Sequence, residues 1–221
     1  MSKLIALVGD TGVGKSHSIQ FLNPKEAYVI SVAGKELPFK GSSSLYNREL
    51  KNYKEVSDIT EVHRLLQTLS ESAPHVKTII IEDGSYLMAF SLVAKATEIG
   101  YTKFSILAQQ MVNLIQGAKK LRDDLTIVYT SHSEEVDDSG EITTYKMKVC
   151  GRMIDSQIKM EGLFTVVLYA LTETKGDKTE YFFITNKYKK YPAKSPSGMF
   201  NEIKMPNNLQ LVVNTVNEYY K

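Results

Sequence analysis

The sequence predicts an α/β fold: a mainly parallel sheet flanked by helices, with antiparallel hairpin strands added late in the chain. Three observations predict it. Short apolar runs alternate with helical segments over the first 130 residues, the order that builds parallel sheets through helical crossovers. The first run ends in a glycine-rich turn that opens into a helical segment. Beyond residue 133 the runs come in pairs around short polar turns, the pattern of hairpins. No long linker divides the 221 residues. One domain is therefore expected over 1–221, with a core over about 1–133 and a hairpin-rich part over about 134–221.

The elements follow in order. Lys3–Val8 is a short apolar run and reads as a buried strand. A helical segment is expected from Lys15 to about Leu22, stopped by Asn23-Pro24. Ala27–Val32 is β-branched and aromatic, a second strand. Ala33 to Lys54 is rich in Gly, Pro and Ser and reads as loop. Ser57 or Asp58 caps a helix, with Glu61 placed to close a capping box and Val62, Leu65, Leu66 and Leu69 at helical spacing. Val76–Ile81 is a third strand, Leu87–Ile99 and Phe104–Leu121 are helices, and Leu125–Thr130 is a fourth strand. Glu134–Glu141 is an acidic hairpin tip with Ile142–Val149 returning from it, and Ile154–Gly162 reads as a short helix. Phe164–Leu171 and Glu180–Thr185 pair around Gly176-Asp177, and the chain closes with Pro206-Asn207-Asn208 and a helix to Tyr220.

Composition narrows the function. Lys and Arg number 27 and Asp and Glu 25, a net charge of +2, which excludes coating of nucleic acid through bulk charge alone. One cysteine, Cys150, excludes an intramolecular disulfide framework and suits a reducing, cytoplasmic setting. The apolar run at the N-terminus breaks at Asp10, and no later window reaches membrane-spanning length. No membrane partner is expected.

Gly9-Asp10-Thr11-Gly12-Val13-Gly14-Lys15-Ser16 matches the phosphate-loop pattern G-x-x-x-x-G-K-[ST] in full, between an apolar strand and a helical segment. Glycines let successive backbone N–H groups turn inward around an anion. Lys15 is placed for the β- and γ-phosphates and the Ser16 hydroxyl for Mg²⁺. His17, one residue on, is a further nucleotide-facing candidate. The expected ligands are ATP and Mg²⁺.

Such a loop needs a second Mg²⁺ partner, an acid at the end of a nearby apolar strand. Thr78-Ile79-Ile80-Ile81-Glu82-Asp83 supplies two in line. In one order Glu82 serves the metal and Asp83 the water. In the other, favoured because Asp is the usual metal partner, Asp83 serves the metal and Glu82 orients the water. Glu36, just past the second strand, is a further candidate for the water. Thr130-Ser131-His132 ends the fourth strand, where polar groups can face the γ-phosphate.

Other phosphate-loop classes fit less well. Asn186-Lys187 follows an apolar strand as a guanine-reading motif does, but position 189 is lysine where an acid is needed. A nucleotide kinase needs lid arginines, and Arg48, Arg64, Arg122 and Arg152 are scattered. GTPase-like and kinase readings are thus secondary alternatives.

GDTGVGKS, TIIIEDGSYLM, TSHSEEV, MKVCGRMIDSQIKMEGLFTVVLYA and KSPSGMF together resemble the phage RecA-like, AAA-type nucleotide-binding proteins, over about Lys3 to Asn208. Some relatives act as single-strand DNA annealing proteins in phage recombination. The resemblance implies a RecA-like core, ATP hydrolysis with Mg²⁺, and assembly as a ring or filament on DNA. It also implies a role in recombination, repair or replication, in the host cytoplasm for a phage-encoded chain. A module in which ATP only switches assembly, without hydrolysis, is the alternative.

Lys187-Tyr188-Lys189-Lys190-Tyr191 and Lys194 interleave cations with aromatic rings, as a single-stranded DNA path needs. The same pattern also suits an edge strand protected by lysines. Lys194, or Arg152, is a candidate to reach a neighbouring subunit's γ-phosphate, as an arginine finger does.

Overall fold

The computed structural model describes residues 1–138, 140–150 and 158–221. Its strands are β1 (Lys3–Gly9), β2 (Ala27–Ser31), β3 (Tyr53–Glu55), β4 (Thr78–Glu82), β5 (Thr126–Asp138), β6 (Glu141–Met147), β7 (Val166–Lys175), β8 (Lys178–Ile184) and β9 (Lys204–Pro206). Its α-helices are α1 (Ser42–Leu45), α2 (Ile59–Ser72), α3 (Tyr86–Ala94), α4 (Thr102–Lys119) and α5 (Leu209–Tyr219).

One sheet has the order β3-β2-β4-β5-β1-β7-β8-β9. Every pair from β3 to β7 is parallel, and β7–β8 and β8–β9 are antiparallel. The expected α/β arrangement is present, with strands from both halves of the chain in one sheet. Its decisive feature is that β5 lies between β1 and β4, so the strand ends carrying Gly9, Thr130 and Glu82 stand side by side.

The central strands are buried on both faces, which is why they read as continuous apolar runs. Alternation assigns the faces. Leu4, Ala6, Val8, Ile79 and Ile81 pack with Val62 and Leu66 of α2 and Leu107, Met111 and Leu114 of α4. Ile5, Leu7, Val29 and Ile80 pack on the other face with Ile19 and with Leu209, Val212 and Val216 of α5. α2 is capped as its sequence predicts: Asp58 accepts from the Glu61 N–H at 2.8 Å. α5 is capped likewise, Asn208 accepting from the Leu211 N–H at 3.1 Å.

Some elements differ from the sequence reading. The segment after the glycine-rich loop is a six-residue 3₁₀ helix, Ser16–Phe21. The loop-rich stretch contains α1 and the edge strand β3, whose three residues carry no readable periodicity. β5 runs on past Thr130 through the acidic stretch to Asp138, and its outer half pairs with β6 in antiparallel fashion. β7 is parallel to β1 although it begins a hairpin. Much of the helix expected over Ile154–Gly162 lies outside the described residues. What is described there is a 3₁₀ turn, Met160–Leu163.

Gly84, just past β4, fixes how tightly the site packs on the sheet. A Cβ there would run into the ring of Tyr129, which is buried in the first apolar face. Gly84→Ala is expected to lose about 1–3 kcal/mol of stability through overpacking. Equilibrium urea unfolding measures this, and unchanged stability would mean that the ring is free to retreat.

Candidate functional site

β1 ends at Gly9, and the chain then turns through two glycines in the left-handed region, Gly12 at φ +80° and Gly14 at φ +89°. At Gly14 a side chain is doubly unwelcome. A Cβ would lie 2.9 Å from Asn207 Nδ2 and 3.0 Å from Tyr181 Cδ1. The buried Lys15 ammonium donates to the carbonyls of Gly9 (2.9 Å) and Asp10 (2.7 Å). Asp10 Oδ1 accepts from the Thr11 N–H at 2.7 Å, and Val13 packs against the second apolar face. His17 is exposed, its Nδ1 3.2 Å from the Pro38 carbonyl.

Two carboxylates stand at the end of β4, each 1 % exposed. They are held differently. Glu82 accepts from the Ser16 hydroxyl through Oε1 and from the Thr130 hydroxyl through Oε2, the latter at 2.8 Å. Asp83 has a left-handed backbone, φ +57°, uncommon for a non-glycine residue. Its N–H donates to Thr130 Oγ1 at 2.8 Å. Its Oδ2 lies 2.5 Å from Lys35 Nζ, and its Oδ1 lies 3.7 Å from His132 Nε2. Ser16 therefore touches Glu82, and Lys35 touches Asp83.

The electrostatics follow from this packing. Burial, and then the charge of Asp83, pushes Glu82 above the ordinary carboxylate range against the hydroxyl bonds that favour its anion. Burial lowers Lys15, partly offset by Glu82 and Asp83. Burial also acts to lower Lys35, but its hydrogen bond and charge interaction with Asp83 outweigh that and raise it. His132 is lowered by burial and by the neighbouring Lys15.

All of these groups but Glu82 border one cavity of about 410 Å³, lined by Thr11, Gly12, Gly14, Lys15, Ser16, His17, Lys35, Glu36, Pro38, Asp83, His132 and Tyr181. The structure thus brings together the loop, the paired acids, Glu36 and His132. It does not bring Lys194 to this cavity. That residue's backbone pairs with Val167, at 2.8 and 2.9 Å, and its side chain borders a different cavity with Glu161. Arg152 lies outside the described residues. Three cavity residues, Lys35, Pro38 and Tyr181, were not anticipated from sequence. Lys35 becomes significant only once β2 is known to lie beside β4, and Tyr181 carried no signal. The hydroxyl of Ser16 with two carboxylates is a hard, all-oxygen donor set and fits Mg²⁺.

The lysine-rich segment forms a tight turn. Tyr188 and Tyr191 exchange backbone hydrogen bonds of 3.1 and 2.9 Å, with the exposed Lys189 and Lys190 at the tip. Tyr191 stacks on Tyr145 with centroids 4.6 Å apart, and Lys189 sits 5.1 Å over the Tyr188 ring.

Residues 2–197 match the family described as AAA domain, and the chain belongs to that family. Among solved structures it is similar to a KaiC-like protein from the hyperthermophilic archaeon Pyrococcus horikoshii OT3. The identity is 13 %, with 85 % of this chain and 80 % of that chain covered and a TM-score of 0.45. No curated protein matches in sequence. Among the described residues no helix is long and apolar enough to cross a membrane.

The raised Glu82 has a stability consequence of definite sign. A carboxyl whose folded pKa exceeds its unfolded value costs stability once the pH rises above that unfolded value, near 4.5. Glu82→Gln is therefore expected to melt a few degrees higher than the parent at neutral pH, the shift about 1 kcal/mol produces in a chain of this size. The gain should shrink to nothing as pH falls through the unfolded value. Thermal melts across pH check this, and a gain independent of pH would contradict it.

Proposed function

We propose that this AAA-domain chain binds ATP with Mg²⁺ in the cavity between its glycine-rich loop and the end of β4, and hydrolyses it slowly. The observation that carries the reading is the meeting of Ser16 with Glu82 beside Lys15. Lys15 and the loop N–H groups hold the phosphates. Ser16 and one acid hold Mg²⁺, which when bound neutralises phosphate charge. The sequence left two orders open. The Ser16 contact favours Glu82 on the metal side, leaving Asp83, with Glu36 opposite, to orient the attacking water and accept its proton.

The lysine turn extends the proposal to DNA. Lys187, Lys189 and Lys190 are exposed, and cations on a turn beside aromatic rings suit single-stranded nucleic acid. On this reading the chain acts in DNA recombination, repair or replication, as a ring or filament of copies, with Lys194 available to a neighbour. A second reading, in which ATP only switches assembly, draws on the pairing of Asp83 with Lys35. ATPase turnover with and without single-stranded DNA separates the two.

Lys15→Ala should weaken ATP binding about 10–100-fold, the loss expected for hydrogen bonds from a charged group. Retained affinity in an equilibrium binding assay would sink the site. Replacing Lys189 and Lys190 with alanine should lower the slope of log affinity against log salt for a single-stranded oligonucleotide, by about 0.7 for each phosphate no longer neutralised. An unchanged slope would remove the turn from the DNA path.

A further inference from the structure

Lys35 has two neighbours of opposite character. On one side is Asp83, 1 % exposed, with Lys35 Nζ at 2.5 Å. On the other is the cavity that Lys15, Ser16 and Gly12 also line. Lys35 itself is 52 % exposed. It follows Gly34, whose backbone is left-handed at φ +65°, on the chain leaving β2. A lysine reaches along a flexible four-carbon stem and carries its charge as a point, with no fixed fork to bind it to one partner. Lys15 differs in being buried and committed to the Gly9 and Asp10 carbonyls.

We propose that Lys35 is a latch shared between two anions: Asp83, and the terminal phosphate of a bound nucleoside triphosphate. Paired with Lys35, the Asp83 carboxylate has an oxygen blocked and its charge offset, and is poorly placed to take a proton from water. A terminal phosphate brings more charge and three acceptor oxygens into the same cavity, and competes for the ammonium. When Lys35 moves to the phosphate, Asp83 is freed for water at the moment a cleavable bond is present. A diphosphate ends one phosphoryl group short and leaves the latch on Asp83. The inference rests on the nucleotide reading of the cavity, and it supplies a cation from within the chain for the role assigned above to a neighbour's lysine.

The test is equilibrium binding of ADP and of a β,γ-imido ATP analogue to the full chain and five variants. Lys35→Met should weaken the analogue roughly 10-fold or more, the loss of one charged hydrogen bond, and leave ADP affinity within about twofold. Lys35→Arg should restore most of the difference. Asp83→Asn removes the competing anion, so it should tighten the analogue and not ADP. That gain should vanish in the double variant Lys35→Met with Asp83→Asn, which also removes the uncompensated buried acid should Lys35→Met alone fold poorly. If Asp83→Asn tightens the analogue equally with Met at position 35, only repulsion between carboxylate and phosphate is at work and the latch is overturned. It is overturned too if Lys35→Met changes both nucleotides alike. Lys15→Ala keeps the two readings apart. Loss of both nucleotides in Lys15→Ala with an unchanged ratio in Lys35→Met refutes the latch alone. Retention of both nucleotides in Lys15→Ala refutes the nucleotide site itself.

Discussion

A carboxylate taken out of water is tolerated only where the protein replaces the lost hydration with hydrogen bonds of its own. Glu82 is such a group, and the organisation of the site depends on how it is satisfied. One oxygen takes a hydroxyl from the loop after β1, and the other takes a hydroxyl from β5. This works because β5 is inserted between β1 and β4, with Leu7 opposite Thr130 and Ile81 opposite Tyr129. A shift of one residue in either register would turn Thr130 to the opposite face of the sheet and leave the acid unpaired. The apolar residues on both faces hold that register. Packing far from the cavity and polar contacts within it are thus one constraint.

The cavity gathers charge of both signs at short range. Lys15, Lys35 and His132 line it together with Asp83 and Glu36, and Glu82 stands behind Ser16. Lys15, Glu82 and Asp83 are buried, unlike the exposed pairs of Lys77 with Asp124 and Lys175 with Glu180. On the proposed reading, a nucleotide entering with a divalent cation meets a carboxylate already paired with Lys35, and its binding is an exchange of partners. The cost of reorganising solvent is small in such a site.

Much of this was legible in the sequence, for identifiable reasons. The glycine-rich loop is local: eight consecutive residues carry the whole pattern, so reading it needs no knowledge of the fold. The buried strands announce themselves because both faces are covered, and α2 because Asp58, Glu61 and the apolar spacing agree. What was not legible depends on order in space. Nothing in the chain says that β2 lies beside β4, which is what sets Lys35 against Asp83 across 48 positions of sequence. Nor does it say that Ser16 meets the first acid and not the second. Asp83 takes a left-handed backbone there, a conformation its residue type tolerates without requiring. Edge strand β3 escaped because three residues carry no period.

β5 serves two sheets with one uninterrupted backbone. Its inner half lies in the core and presents Thr130, while its outer half leaves the core to pair with β6. At Glu135 it faces Tyr145, whose N–H donates to the carbonyl of Lys190 at 3.0 Å and whose ring stacks on Tyr191. From Glu135 back to Thr130 is about 17 Å of strand at 3.3 Å per residue. The basic turn is therefore tied through β6 to the same strand that carries Thr130 to the acid pair, so the two features share one backbone ladder.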